Sequence, residues 1–248
     1  MTGVEPSSTL RIGADRCGPT WSGNGGWTAG LLADAVDPRA TVTVTLRRPP
    51  PLDTDLRVEP DATGGGVRLL AGLDLVAEAS GPEDPEGPDP VPPVDADAAA
   101  AAEPAYAGLR GHPFPRCFVC GPERGAGDGL ALRPGPVGPG RTACTWVPHE
   151  SFADPDGTLP EPHLWAALDC PGGWTVDLAG RPMVLGRITA RVARRARAGE
   201  RLVVAGRHRR TAGRKTWTAT TVYDASGAVV GRAAQLWVGV DPATFAGG

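Results

Sequence analysis

Residues 24–36 read NGGWTAGLLADAV and residues 162–173 read PHLWAALDCPGG, and these two stretches organise the rest of the chain. In the first, a glycine-rich turn opens a helical pattern, Asn24 to Val36, with Trp27, Leu31 and Leu32 at helical spacing. In the second, Pro160 and Pro162 are start signals, His163–Asp169 is helical, and Cys170–Gly173 stops it. Strands follow each. After the first come Thr41–Arg47, strictly alternating with Val42, Val44 and Leu46 on one face, then a short strand at Asp55–Glu59, then one long strand, Val67–Ala79, interrupted at Gly72. After the second come Arg187–Arg195, Glu200–Arg209, Lys215–Asp224 and Ala228–Val240, with a hairpin turn at Asp224–Gly227. One helix and then a run of antiparallel strands therefore occurs twice. A helix needs a concave face on which to bury its apolar stripe, so the pattern predicts an α+β fold of two tandem halves, each a helix wrapped by a curved antiparallel sheet.

Between the halves, residues 80–104 read SGPEDPEGPDPVPPVDADAAAAAEP, which offers no apolar periodicity and predicts a solvated, disordered linker. The expected organisation is an N-terminal half over 8–80, a linker over 81–104 and a C-terminal half over 105–244. At 248 residues each half can bury a core.

The net charge of -3 excludes a protein that grips nucleic acid through overall charge, since phosphate binding needs surplus cations. No apolar run approaches the roughly 20 residues that span a bilayer, and the start, MTGVEPSSTL, lacks the basic and apolar regions of a signal peptide. A cytoplasmic protein that does not engage membranes is expected. Five cysteines without a secretory context predict reduced thiols.

The second half resembles the hotdog-fold acyl-CoA thioesterases, in particular the double-hotdog type related to thioesterase II. The resemblance rests on PHLWAALD (Pro162–Asp169), on ITARVARRARAGERLVV and on GAVVGRAAQLWVGV (Gly227–Val240), whose last strand carries Gln235. In the first half GNGGWTAGLLA (Gly23–Ala33) is similar to the Gly-Gly helix start of many single-hotdog thioesterases, and the stretch His112–Gly135 resembles one found in actinobacterial hotdog proteins. The resemblance implies a tandem double hotdog that hydrolyses an acyl-CoA or acyl-carrier-protein thioester, coenzyme A entering as part of the substrate and no separate cofactor being needed. It implies Asp169 as base or nucleophile and Gln235 as the residue orienting water. The family's catalytic hydroxyl falls near Leu185 and Gly186, so Thr189 is the nearest hydroxyl available to touch substrate.

Thioester hydrolysis needs donors for the charge developing on the carbonyl oxygen and a carboxylate to activate water or attack. The leading amides of a helix have no intrahelical partners, so the Asn24-Gly25-Gly26 start can supply the donors, the glycines letting a substrate come close. Asp169 would face that start from the other half, giving one composite site, with Trp27 and His163 as substrate contacts. Simpler roles exist for several of these residues: a turn with an Asn cap for GNGG, a solvated loop for Asp169, a buried amide satisfied by backbone for Gln235, and packing for His163. Asp34, at the mirror position of Asp169, lacks a facing Gly-Gly start. Cys117 and Cys120 form one C-x-x-C with His112 upstream, half a zinc site without a second pair, so no metal is expected and the thiols read as buried apolar groups. Two other functions fit the same pocket: a hotdog dehydratase, hydratase or pathway-specific cyclase pairing Asp169 with His163, and a non-catalytic acyl-ligand binder. Exposed sheet edges predict a homodimer.

Overall fold

The computed structural model describes residues 8–37, 40–62, 64–81, 84, 86–125 and 127–241. Along the chain these form β1 (Ser8–Arg11), α1 (Gly25–Asp34), β2 (Val42–Leu46), β3 (Asp55–Pro60), β4 (Gly66–Ala71), β5 (Asp74–Ser80), α2 (Ala96–Ala102), β6 (Gly135–Gly138), β7 (Arg141–Trp146), α3 (Pro162–Ala167), α4 (Cys170–Gly173), β8 (Met183–Val192), β9 (Leu202–Ala212), β10 (Lys215–Tyr223) and β11 (Val229–Gly239). All eleven strands belong to one antiparallel sheet in the order β1-β3-β4-β5-β2-β8-β11-β10-β9-β7-β6.

The strand runs that follow α1 and α3 meet edge to edge at β2 and β8, where Val42 pairs with Ala190 and Val44 with Ile188. Those four side chains are at most 1% exposed, so the seam is core, and α1 and α3 pack side by side over it. Their approach depends on small residues. A Cβ on Gly30 would lie 2.7 Å from the Pro162 Cα and 2.8 Å from the Trp165 Cβ.

Two expectations are corrected. Val67–Ala79 is a hairpin rather than one long strand: the ladder closes on Ala71 and Asp74 around Gly72 (φ 60°) and Leu73, which is 95% exposed. Glycine at the first central position is what a two-residue turn of matching twist requires. The stretch expected to be a solvated linker is in large part a strap across the outer face of the sheet. Val91 is fully buried, its N–H donates to Thr221 Oγ1 (2.8 Å) and its carbonyl accepts the Tyr223 hydroxyl. Further on, Asp95 caps α2, Ala99 is buried on the sheet with Ala143 and Val203, and Glu103 accepts the N–H and hydroxyl of Thr145. The strap explains why β10 buries residues on both faces although it carries Thr216, Thr218, Thr220 and Thr221. Each of these hydroxyls finds a partner, which buried polar groups require.

Candidate functional site

Asn24 ends an extended segment, and its side chain caps α1 by accepting the Trp27 N–H at 2.9 Å. Across from it the chain leaves α3 and makes a four-residue turn, α4, with Asp169 between the two. Asp169 thus follows the last turn of α3 directly. Its carboxylate crosses to the start of α1, where Oδ2 accepts the Gly26 N–H (2.9 Å) and Asn24 Nδ2 (3.1 Å), at the positive end of the helix dipole. Gly26 makes this possible, because a Cβ there would meet the Asp169 Cβ and the Trp165 carbonyl at 2.6 Å.

Asp169 is 2% exposed, and its second oxygen, Oδ1, has no hydrogen-bond partner among the described residues. Burial pushes the carboxyl up to about 7; the bonds from Gly26 and Asn24 pull the other way, and nearby Cys117 adds to the rise. The residue also lines a cavity of about 330 Å³ together with Gly23, Asn24, Gly25, Leu185 and Trp237, a volume at the lower end of small-molecule sites. Of the three leading amides of α1, Gly26 serves Asp169 and Trp27 serves the cap. The Gly25 N–H has no partner among the described residues, and Gly25 lines the cavity.

The other expected site residues lie elsewhere. Gln235 is buried, and its amide is spent on structure: Nε2 donates to the Leu168 carbonyl (2.5 Å) and Thr220 Oγ1 (2.9 Å), and Oε1 accepts the Thr218 hydroxyl (2.8 Å). It holds the peptide immediately before Asp169 and does not line the cavity. Thr189 bonds Thr43 Oγ1 at 2.8 Å across the β2–β8 seam and is likewise absent from the lining. Trp27 and His163 pack edge to face at 4.8 Å, in a cluster with Phe118 and Phe152 under the Arg16 guanidinium. His163 Nδ1 lies 3.0 Å from the Pro160 carbonyl, and burial pushes its pKa down to about 4. Neither ring lines the cavity.

Leu185 does line it, where the resemblance places a hydroxyl; Leu185 pairs with Trp237 next to a register shift in the β8–β11 ladder. His112, Cys117 and Cys120, expected to be no more than buried packing groups, also line the cavity, and Cys170 joins them there. The adjacency of Cys170 to Asp169 was the one available signal, because the C-x-x-C reaches the cavity only through a long-range contact. Cys117 Sγ lies 3.7 Å from Cys170 Sγ and 3.9 Å from Asn24 Nδ2.

No protein-family model and no curated protein matches the sequence. Solved structures do match it over nearly the whole chain. The tesB protein of Mycobacterium avium subsp. paratuberculosis is similar at 13% identity and a TM-score of 0.61, covering 97% of this chain and 95% of that one. A candidate thioesterase II from Thermobifida fusca is similar at 14% identity and 0.59, covering 97% and 94%. A conserved protein of unknown function with a hot dog fold from Alicyclobacillus acidocaldarius gives 14% and 0.59, covering 98% and 95%. At these identities the likeness is one of architecture, and by it the chain is a hotdog-fold protein built like the tesB and thioesterase II structures.

Proposed function

We propose that the chain hydrolyses an acyl thioester at the cavity between the start of α1 and the turn joining α3 to α4, as a double hotdog whose two halves build one composite site. The observation that carries this reading is the Asp169 carboxylate, tied down by one oxygen and free at the other beside a cavity that also offers the unpartnered Gly25 amide. In this mechanism the thioester carbonyl oxygen accepts the Gly25 N–H. Asp169 Oδ1 takes a proton from water as it adds to the carbonyl carbon, and the tetrahedral intermediate expels the thiolate. Direct attack by Oδ1 through an acyl-enzyme anhydride uses the same atoms. Phe114, Leu185 and Trp237 supply apolar walls for the acyl chain, and exposed Arg47, Arg48 and Arg214 also line the cavity, which favours a phosphate-bearing carrier such as coenzyme A.

A hydratase reading would pair Asp169 with a histidine, but His163 is turned into the Trp27 cluster and both ring nitrogens of His112 are engaged. The second reading is an acyl-ligand binder that does not turn over, favoured by Leu185 where a hydroxyl would assist and by the fully engaged amide of Gln235. The sheet ends at β1 and β6 among the described residues, and an end strand can pair with a second copy in either case. Thiol release measured across acyl-CoA chain lengths separates the two. The proposal expects wild-type turnover that falls at least about 100-fold in Asp169→Asn. Acyl-CoA binding without turnover by wild type would transfer the cavity to the second reading.

A further inference from the structure

Cys117, Cys120 and Cys170 give the cavity lining a chemistry that the thioester reading does not use. Cys117 and Cys120 come from one tight loop, Cys170 from the first position of α4, and the three Sγ atoms all lie within 4.8 Å of one another in buried residues. We propose that Cys117, Cys120 and Cys170 hold a thiophilic divalent metal ion as three thiolates, zinc being the first candidate, with the fourth position open to the cavity.

Spacing is the first argument. A tetrahedral ion with metal–sulfur bonds of about 2.3 Å sets its sulfurs about 3.8 Å apart, and Cys117 and Cys170 are at 3.7 Å. The second is the loop. Residues 117–120 form one turn, entered by the Cys117 N–H bonded to the Phe114 carbonyl at 2.8 Å. Gly121 closes the turn with an N–H to the Cys117 carbonyl (2.9 Å), at a position where any Cβ would strike the Cys117 backbone at 2.5 Å.

Charge is the third argument. Trp174 Nε1 lies 3.4 Å from Cys120 Sγ, His112 Nε2 lies 3.3 Å from the same atom, and Asn24 Nδ2 approaches Cys117. A neutral thiol is a weak acceptor, so a ring of N–H donors suits sulfur that carries negative charge. Buried negative sulfur needs a compensating cation, yet no arginine or lysine bonds these three among the described residues; Arg124 goes to Cys17 instead. A metal ion supplies the missing charge, and thiolates select zinc-like ions over magnesium or calcium.

His112 supports this set from outside. Its Nδ1 accepts the Phe114 N–H at 2.9 Å, which leaves the ring proton on Nε2, facing Cys120. It therefore donates to a ligand sulfur and does not itself coordinate. Binding converts three thiols and one divalent ion into a tris-thiolate complex with release of three protons, a cavity water filling the fourth position. Seated there, the ion ties the 112–121 loop to α4 and so stiffens the wall beside Asp169.

The test uses the reduced full-length chain and reads metal rather than thioester turnover, so its failure is separable from failure of the proposed hydrolysis. Zinc is measured by elemental analysis, and cobalt(II) is then titrated into metal-stripped protein. Expected are about one equivalent of metal per chain and a thiolate-to-cobalt charge-transfer band. The band should be lost in Cys117→Ser and Cys170→Ser, and kept in His112→Ala and in Cys144→Ser, a buried cysteine outside the group. Circular dichroism checks that each variant is folded, and the wild-type titration stands without them. Wild type that binds neither metal, or that carries a Cys117–Cys170 disulfide instead, overturns the proposal. So does a Cys170→Ser variant that binds as wild type, and loss of the band in His112→Ala overturns the open fourth position.

Discussion

The two helix starts follow one pattern and end in opposite chemistry. At α1 the cap is the Asn24 side chain, and the leading amides of the helix face a carboxylate and a cavity. At α3 the helix begins at Glu161–Pro162 with no side-chain cap, and its other end delivers Asp169 to those amides. The acids in the mirrored places differ likewise: Asp34 is exposed, whereas Asp169 is 2% exposed and bonded across the seam. Two helix starts of similar sequence pattern therefore need not make two sites. What makes the difference is close approach, since Gly26 lets the turn after α3 press on the start of α1.

The largest stability effect is expected from pH acting on the start of α3. Burial holds His163 near a pKa of about 4 against an ordinary 6.5, so between those values the unfolded chain binds more protons than the folded one. The His163 contribution is then complete above about 6.5 and is lost as pH falls toward 4, by about 3 kcal/mol for a shift of this size, while Asp169, raised to about 7, acts in the opposite direction in wild type and variant alike. Denaturant unfolding of wild type and His163→Phe at pH 7 and pH 4 isolates this contribution. The variant should lose less on acidification by about that amount, and equal acid losses would show that the ring is not held neutral.

The other end of α3 tests how Asp169 is placed. Gln235→Met removes the donor to the Leu168 carbonyl and the partners of two threonine hydroxyls, for an expected loss of about 1–3 kcal/mol. As a positioning effect it should lower kcat more than it raises KM; an unchanged kcat would leave Gln235 a purely structural residue. At α1 the effect is smaller. Asn24→Ala costs about 1 kcal/mol for the cap and also removes one donor to Asp169, which thermal unfolding and the turnover assay read separately.

What was legible in the sequence was local. The NGG start and the period-two strands rest on spacing within a few residues, and the structure brings Asn24, Gly26 and Asp169 within hydrogen-bond distance of one another. Val67–Ala79 misled because a glycine within a strand pattern serves equally for an interruption and for a turn. The strap through Val91 could not be read from its Pro- and Ala-rich composition, since one buried valine, a backbone N–H and a carbonyl hold it there. The thiol cluster was hidden for a related reason: its third member comes from another element, and no spacing rule connects Cys170 to the C-x-x-C.

The measurement that bears most directly on a single composite site is the kcat/KM for acyl-CoA hydrolysis of Asp169→Asn beside Asp34→Asn, both compared with wild type. The asymmetry between the exposed Asp34 and the buried Asp169 predicts a fall of at least about 100-fold for Asp169→Asn and a value within about twofold of wild type for Asp34→Asn. Equal losses in the two variants, or none in Asp169→Asn, would contradict it.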